Sequence, residues 1–257
     1  MKTAILGTSI GYGVNDISPF VVSLRKFYAG KLILVVDNIT DELDHFFKKY
    51  NVETHLISLT NKLRSSEIFH IRHKEYLKIV NNLNVDYVFI SDVRDVLFQS
   101  NPFSHDITTD LEFFSEPKEI KNCDFNSKKI LKVFGESEFL RLQDNKIICA
   151  GTTIGTRLGL CFYLEQMILI LDDYKNKTNT VADDQAVHNF LIYNNYFKNF
   201  KVYDTGYGPI ATLHHLREGI FNELGQVVNI DETLPAVVHQ WDRLSTDHKE
   251  KLLKVSL

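Results

Sequence analysis

The sequence predicts an α/β sandwich, a mostly parallel central sheet with helices on both faces, followed by a loop-rich C-terminal part. Two observations carry that reading. Through residues 1–100, short apolar β-rich runs alternate with segments of helical period. Those runs are apolar at successive positions, as strands covered on both faces require. Beyond Pro102 the alternation loosens, which sets the second part apart from the first.

The first strand is "TAILG" (3–7). "DISPFVVSLRKFY" (16–28) sets Phe20, Val21, Leu24 and Phe27 at helical spacing, with Asp16 as its N-cap. "KLILVV" (31–36) completes a β-α-β unit. In "TDELDHFFKKY" (40–50), Leu43, Phe46, Phe47 and Tyr50 share a face, with acids in the first turn and Lys48 and Lys49 in the last, matching the helix dipole. "ETHLIS" (53–58) is a third strand, and a helix from about Ser66 to Leu83 leads into "DYVFIS" (86–91), the fourth. Further on, "LEFFSE" (111–116) and "NKIICAGTTIG" (145–155) read as strands. A very apolar helix spans Leu158 to Leu171. Another runs from about Asp184 to Tyr196, with Val187, Phe190 and Leu191 inward. Residues 201–244 are loop-rich with short strands. With no repeat and no linker, the chain reads as one domain, with a nucleotide-binding half (1–100) and a second half (101–257).

At 257 residues and 44% hydrophobic content the chain can bury a sizeable core. Its longest apolar stretch, Leu158 to Leu171, is broken by Glu165 and Gln166 and falls short of the roughly 18–20 residues a span requires. "MKTAILGTSIGYG" reads as a strand and turn rather than an export signal, so a cytoplasmic protein is expected. Three cysteines (Cys123, Cys149, Cys161) without C-x-x-C spacing suggest neither a disulfide framework nor a zinc knuckle, which fits a reducing compartment. A net charge of −4 with dispersed Lys and Arg gives no basic stripe for nucleic acid. Any phosphate handled here belongs to a small molecule.

The most informative stretch is "FISDVRDVLFQ" (89–99), where a buried strand ends in Asp92, Arg94 and Asp95. Ligands of parallel α/β sheets bind outside the carboxyl ends of the strands. Two carboxylates there can bind a divalent cation; equally, Asp92 can cap a turn while Asp95 pairs with Arg94 or Lys74. On the preceding helix, Phe69, Tyr76, Val80 and Leu83 form an inward stripe that includes Arg72 and His73. Arg72 to Leu83 rises about 16 Å as helix, and Val85 to Ser91 about 20 Å as strand. If the two run antiparallel, Arg72 ends near Asp92, either as a structural ion pair or holding a diphosphate together with a metal.

Other stretches keep two readings. Gly151, Thr152 and Thr153 in "CAGTTIGT" are a bend between elements or a sugar-contacting turn. Asp183 or Asp184 in "ADDQ" suits a helix N-cap. His239 in "VVHQWDR" reads by itself as a hydrogen-bonded strand-end residue. Asp242 and Arg243 form a local pair or close a pocket. The turn "GTSIGYG" lacks the spacing of the dinucleotide fingerprint, and positive φ at Gly11 or Gly13 explains its glycines equally well.

Taken in order, "ILGTSIGYGVNDISPFVVSLRKF", "YVFISDVRDVLFQSNPF", "IICAGTTIGT", "ADDQAVHNFL" and "VVHQWDR" resemble GT-A-type glycosyltransferases of the nucleotide-diphospho-sugar transferase superfamily, across most of the chain. The resemblance implies a Rossmann-like GT-A fold and transfer of a sugar from a UDP- or GDP-sugar to a glycan or glycoconjugate acceptor, with peripheral membrane association through the acceptor. It places Asp92 and Asp95 at the family's D-x-D metal motif, here spaced D-x-x-D, with His239 as the late ligand and Mn2+ or Mg2+ as the ion. It places Gly7, Thr8, Tyr12, Arg72, Ser91, Arg94, Gly151, Thr152, Gln185 and Arg243 around the donor, and Asp184 with Asp92 at the reacting centre. Rival readings are a sugar nucleotidyltransferase, whose N-terminal Arg and Lys "GTSIGYGVND" lacks, an aspartyl phosphohydrolase, whose first acid should follow the first strand, and a catalytically inactive nucleotide-sugar-binding module.

Overall fold

In the computed structural model, residues 1–59, 65–213 and 220–257 are described; the loop expected across 214–219 lies outside them. The first part runs β1 (Thr3–Ser9), α1 (Val14–Arg25), β2 (Lys31–Val36), α2 (Asp41–Lys49), β3 (Glu53–Leu56), α3 (Ser65–Asn82) and β4 (Tyr87–Ser91). The second runs β5 (Val96–Phe98), β6 (Leu111–Glu119), α4 (Asp124–Phe134), α5 (Glu136–Leu142), β7 (Lys146–Ile148), β8 (Thr152–Thr156), α6 (Arg157–Thr178), α7 (Asp184–Tyr193), β9 (Phe200–Tyr203), β10 (Ile210–Thr212), β11 (Val237–His239) and α8 (Thr246–Ser256).

The main sheet has the order β3-β2-β1-β4-β8-β6-β7, with β9 on β6, and its first four strands are parallel. The fold is α/β with a mostly parallel central sheet. Alternation along each strand feeds two cores. Leu6, Val35, Val88 and Ile90 face Tyr76 and Val80 of α3 and Leu164 of α6. Ile5, Leu34 and Phe89 face Phe20 and Leu24 of α1 and Phe47 of α2. Because β2 and β4 flank β1 on opposite sides, the chain reverses direction across the sheet at β1, and a crevice opens outside the carboxyl ends of β1 and β4. Register brings those ends level: Gly7 lies opposite Ser91.

A small second sheet, β10-β11-β5, matters as much for the site. β5 leaves the mouth of β4 and pairs antiparallel with β11, setting His239 opposite Val96, one residue beyond Asp95.

Several local expectations change. The N-cap of α1 is Gly13, not Asp16; Asp16 sits in the first turn and accepts a 2.9 Å bond from the Gly13 N–H. Phe27 lies past the helix end and is 41% exposed. "NKIICAGTTIG" is two strands, because β7 pairs with the later residues of β6 while β8 lies between β4 and the start of β6, and Cys149 to Gly151 make the step. The apolar helix continues to Thr178, and the next ends at Tyr193. Helices α4 and α5 occupy a segment to which the sequence pattern assigned no element.

Candidate active site at the carboxyl edge of β4

The expected meeting of Arg72 and Asp92 is present. Arg72, carried inward by α3, donates from Nη1 to Asp92 Oδ1 at 2.7 Å and from Nη2 to Asp184 Oδ2 at 2.6 Å. It is buried, and the ring of Phe69 lies 4.7 Å from its guanidinium carbon. Burial alone would lower the Arg72 pKa, but Asp184 and Asp92 raise it well above the usual value. Asp92 shows the reciprocal effect. Burial pushes its carboxyl up, yet Arg72 and then His239 hold it well below the carboxylate range. Both ends of the guanidinium fork are occupied by carboxylates, so Arg72 joins β4 to α7 as an ion-paired bridge.

Asp95 has a different environment. Its side chain is buried, its nearest cationic groups are His239 Nε2 at 3.7 Å and Arg243 Nη2 at 3.9 Å, and burial raises its pKa ahead of the opposing influence of His239. His239 Nε2 is also 3.8 Å from Asp92 Oδ2. Both separations are too long for hydrogen bonds, and Nε2 is a buried nitrogen without a hydrogen-bond partner. The other ring nitrogen faces Cys149 Sγ at 3.7 Å. Burial lowers the His239 pKa, but Cys149 and the carboxylates of Asp95 and Asp92 raise it above the usual value.

One ligand atom each from Asp92, Asp95 and His239 lies within 4.8 Å of the others. Ligands about 2.1 Å from a common divalent ion stand about 3–4 Å apart. An orphaned imidazole nitrogen facing two carboxylates at that spacing fits a shared cation. Gly151 is part of the fit, because a Cβ there would lie 2.5 Å from His239 Cε1 and 2.6 Å from Asp92 Oδ2. Next to His239, Gln240 adopts a left-handed backbone (φ 61°), held by its N–H bond of 2.7 Å to Asp95 O.

Of the cluster, Asp92 lines a cavity of about 640 Å3 whose walls also include Arg72, Gly151, Asp184, Gln185 and Arg243. Other expected residues serve the frame. Gln185 accepts from Ala150 N at 2.9 Å and donates to Ile148 O at 2.6 Å, clamping the β7–β8 connection. Ser91 donates to Asp92 O at 2.7 Å, and Thr8 donates to Tyr76 at 2.6 Å. Gly7 leaves room for Val93 against β1, and Thr152 is fully buried opposite Ser91 in the sheet. Tyr12 is half-buried near Arg94, Asp92 and Asp95; burial, against the opposing influence of Arg94 and with that of the two carboxylates, raises its pKa. Arg94 is exposed and reaches Asp242 Oδ2 at 3.4 Å, while Lys74 pairs with Asp172 rather than Asp95.

Sequence reasoning passed over the wall formed by Glu116, Lys118 and the start of α4, with Asn122, Phe125 and Asn126. Its only signal was "EPKEIKNCDFN", a polar segment with no recognisable motif.

No protein-family model matches this chain, and no curated protein matches it either.

Proposed function

We propose that this chain is a metal-dependent glycosyltransferase that moves a sugar from a nucleoside-diphosphate sugar to an acceptor hydroxyl. The observation that carries the reading is the convergence of Asp92, Asp95 and His239 Nε2 at the switch point of the sheet, with Asp92 lining the 640 Å3 cavity. Those three residues would hold Mn2+ or Mg2+, which would supply charge neutralisation for a departing diphosphate.

The chain's own groups support the same chemistry. Arg243, about 41% exposed on the cavity wall, is a cation within reach of phosphate oxygens. Arg72 positions Asp92 on one side and Asp184 on the other, so the carboxylate at the cation site and the carboxylate on the cavity wall move as one unit. Asp184 supplies negative charge where a transferred sugar develops positive charge. Tyr12 and the turn after β1 flank the opposite side of the cluster, where a nucleoside would lie against Asp37, which accepts from Gly11 N at 2.9 Å.

The test is turnover of UDP- and GDP-sugars, as transfer or donor hydrolysis, with EDTA and after Mn2+ is restored. Activity should vanish and return, and Asp95→Ala should remain inactive throughout. Full activity in EDTA or in Asp95→Ala would overturn the metal role. UDP binding by calorimetry with neither transfer nor hydrolysis would replace the enzyme with a nucleotide-sugar-binding module.

A further inference from the structure

The cavity continues past the cation cluster to the α4 wall, where three features point to one ligand chemistry. Asp183 is the N-cap of α7, yet its side chain makes no capping bond. Its Oδ2 is held by Lys129 Nζ at 3.2 Å, the side chain is 9% exposed, and Oδ1 is a buried acceptor without a partner on the cavity wall. Phe125, on the first turn of α4, lines the same wall with 54% of its surface exposed, and Lys129 Nζ lies 5.0 Å from its ring centre. Asn122 and Asn126 add amide groups beside it.

An exposed aromatic face next to a fixed carboxylate acceptor suits a ligand with an apolar face and hydroxyl edges. A pyranose has both, since its axial C–H bonds stack on an aromatic ring while vicinal hydroxyls donate to a carboxylate. Lys129 ties the two elements together, pinning Asp183 on α7 and approaching the ring on α4, so acceptor and platform are set at a fixed offset. Asp184 turns the other way, to Arg72 and the cation cluster.

We infer that Phe125 and Asp183 form a saccharide subsite, with Phe125 stacking on the sugar ring and Asp183 Oδ1 accepting from its hydroxyls. The ligand class is a neutral pyranoside, and in the glycosyltransferase reading, on which only this last assignment rests, it is the acceptor sugar.

The experiment titrates the full chain, metal-free and without nucleotide, with methyl glycosides of glucose, galactose, mannose and N-acetylglucosamine, followed by saturation-transfer NMR. At least one glycoside binds. Phe125→Ala weakens it about fivefold, and Phe125→Trp retains it. Asp183→Ala weakens it about tenfold. Phe125 is exposed, so its variants should melt like the parent, which separates lost binding from lost folding. No binding by any glycoside, or binding untouched by both alanine variants, overturns the subsite. Binding lost in the variants while no nucleotide sugar turns over supports the subsite and removes the transferase reading. Turnover with an acceptor KM unchanged in Phe125→Ala does the reverse.

Discussion

Asp92 and Asp95 leave the same strand on opposite terms, and the contrast separates what holds this site together from what it is for. On the Arg72 side every charge is answered at hydrogen-bond distance: Asp92 and Asp184 each bond one arm of a buried guanidinium. On the His239 side the charges stand farther apart: Asp95 and Asp92 lie 3.7 and 3.8 Å from the imidazole Nε2, Arg243 lies 3.9 Å from Asp95, and burial raises the Asp95 pKa. A region selected only for stability would resemble the first. The second resembles a site whose charges are arranged for a ligand.

The largest expected effect comes from breaking the closed side. Arg72→Ala leaves Asp184 buried and Asp92 partly buried without their partner, which should cost about 3–5 kcal/mol of unfolding free energy in urea titration. Arg72→Lys should recover only part, because a single ammonium cannot fork to carboxylates on two elements. A loss below about 1 kcal/mol would mean that the bridge contributes nothing net. Asp92→Asn is the next step down. It keeps the shape but removes the charge-assisted bond, for an expected cost of about 2 kcal/mol in the metal-free protein.

Acid pH should affect the same region. His73, with its Nδ1 against Phe69 O and its ring near Arg72, Asp184 and His70, is pushed down to about 4, chiefly by burial. His188, bonded to Tyr163 and near His73 and Arg72, is pushed down to about 3, also chiefly by burial. Folded pKa values below the unfolded value of about 6.5 mean that the unfolded chain takes up protons the folded one refuses, so stability is retained above pH 6.5 and falls as pH drops towards 4. Between pH 8 and pH 5 each histidine should account for about 2 kcal/mol. Urea midpoints at both ends of that range, compared between the parent and His188→Gln, isolate the His188 share of about 2 kcal/mol, because His239, whose raised pKa acts in the opposite sense, is common to both. No difference between parent and variant would mean that His188 takes up its proton equally well in the folded and unfolded protein.

The contrast also explains what could be read from the sequence. Arg72 and Asp92 were legible because helical period and the rises of helix and strand are local quantities: α3 and β4 are adjacent in the chain, and their lengths match. Asp184 as the second partner of Arg72 was not legible, since it depends on α7 docking beside α3. His239 stood out only through a resemblance, because its position follows from pairing of β5 with β11, a three-residue ladder too short to leave a pattern. The α4 wall left less still. Its apolar stripe, Ile130 with Val133 and Phe134, covers little more than one turn at the end of the helix, and the exposure that makes Phe125 available to a ligand also hides it from periodicity.

The smallest change in stability should come from Asp95→Asn, and it is the most discriminating. In the metal-free protein the ionised Asp95 carboxylate is buried with no hydrogen-bonded cation, and its raised pKa means that ionising it is less favourable in the folded state than in the unfolded chain. The sign is therefore opposite to that of Asp92: stability linked to Asp95 is full at low pH and is lost as pH rises through the folded pKa. Removing the charge should leave metal-free stability unchanged or raise it by up to about 1 kcal/mol, whereas Asp92→Asn lowers it. If the cluster binds a cation, Mn2+ should raise the melting temperature of the parent by mass action, and Asp95→Asn should abolish that rise while weakening Mn2+ binding more than tenfold. A stable Asp95→Asn with normal Mn2+ affinity would remove Asp95 from the ligand set. One as unstable as Asp92→Asn would place Asp95 with the structural ion pairs and dissolve the distinction between the two sides.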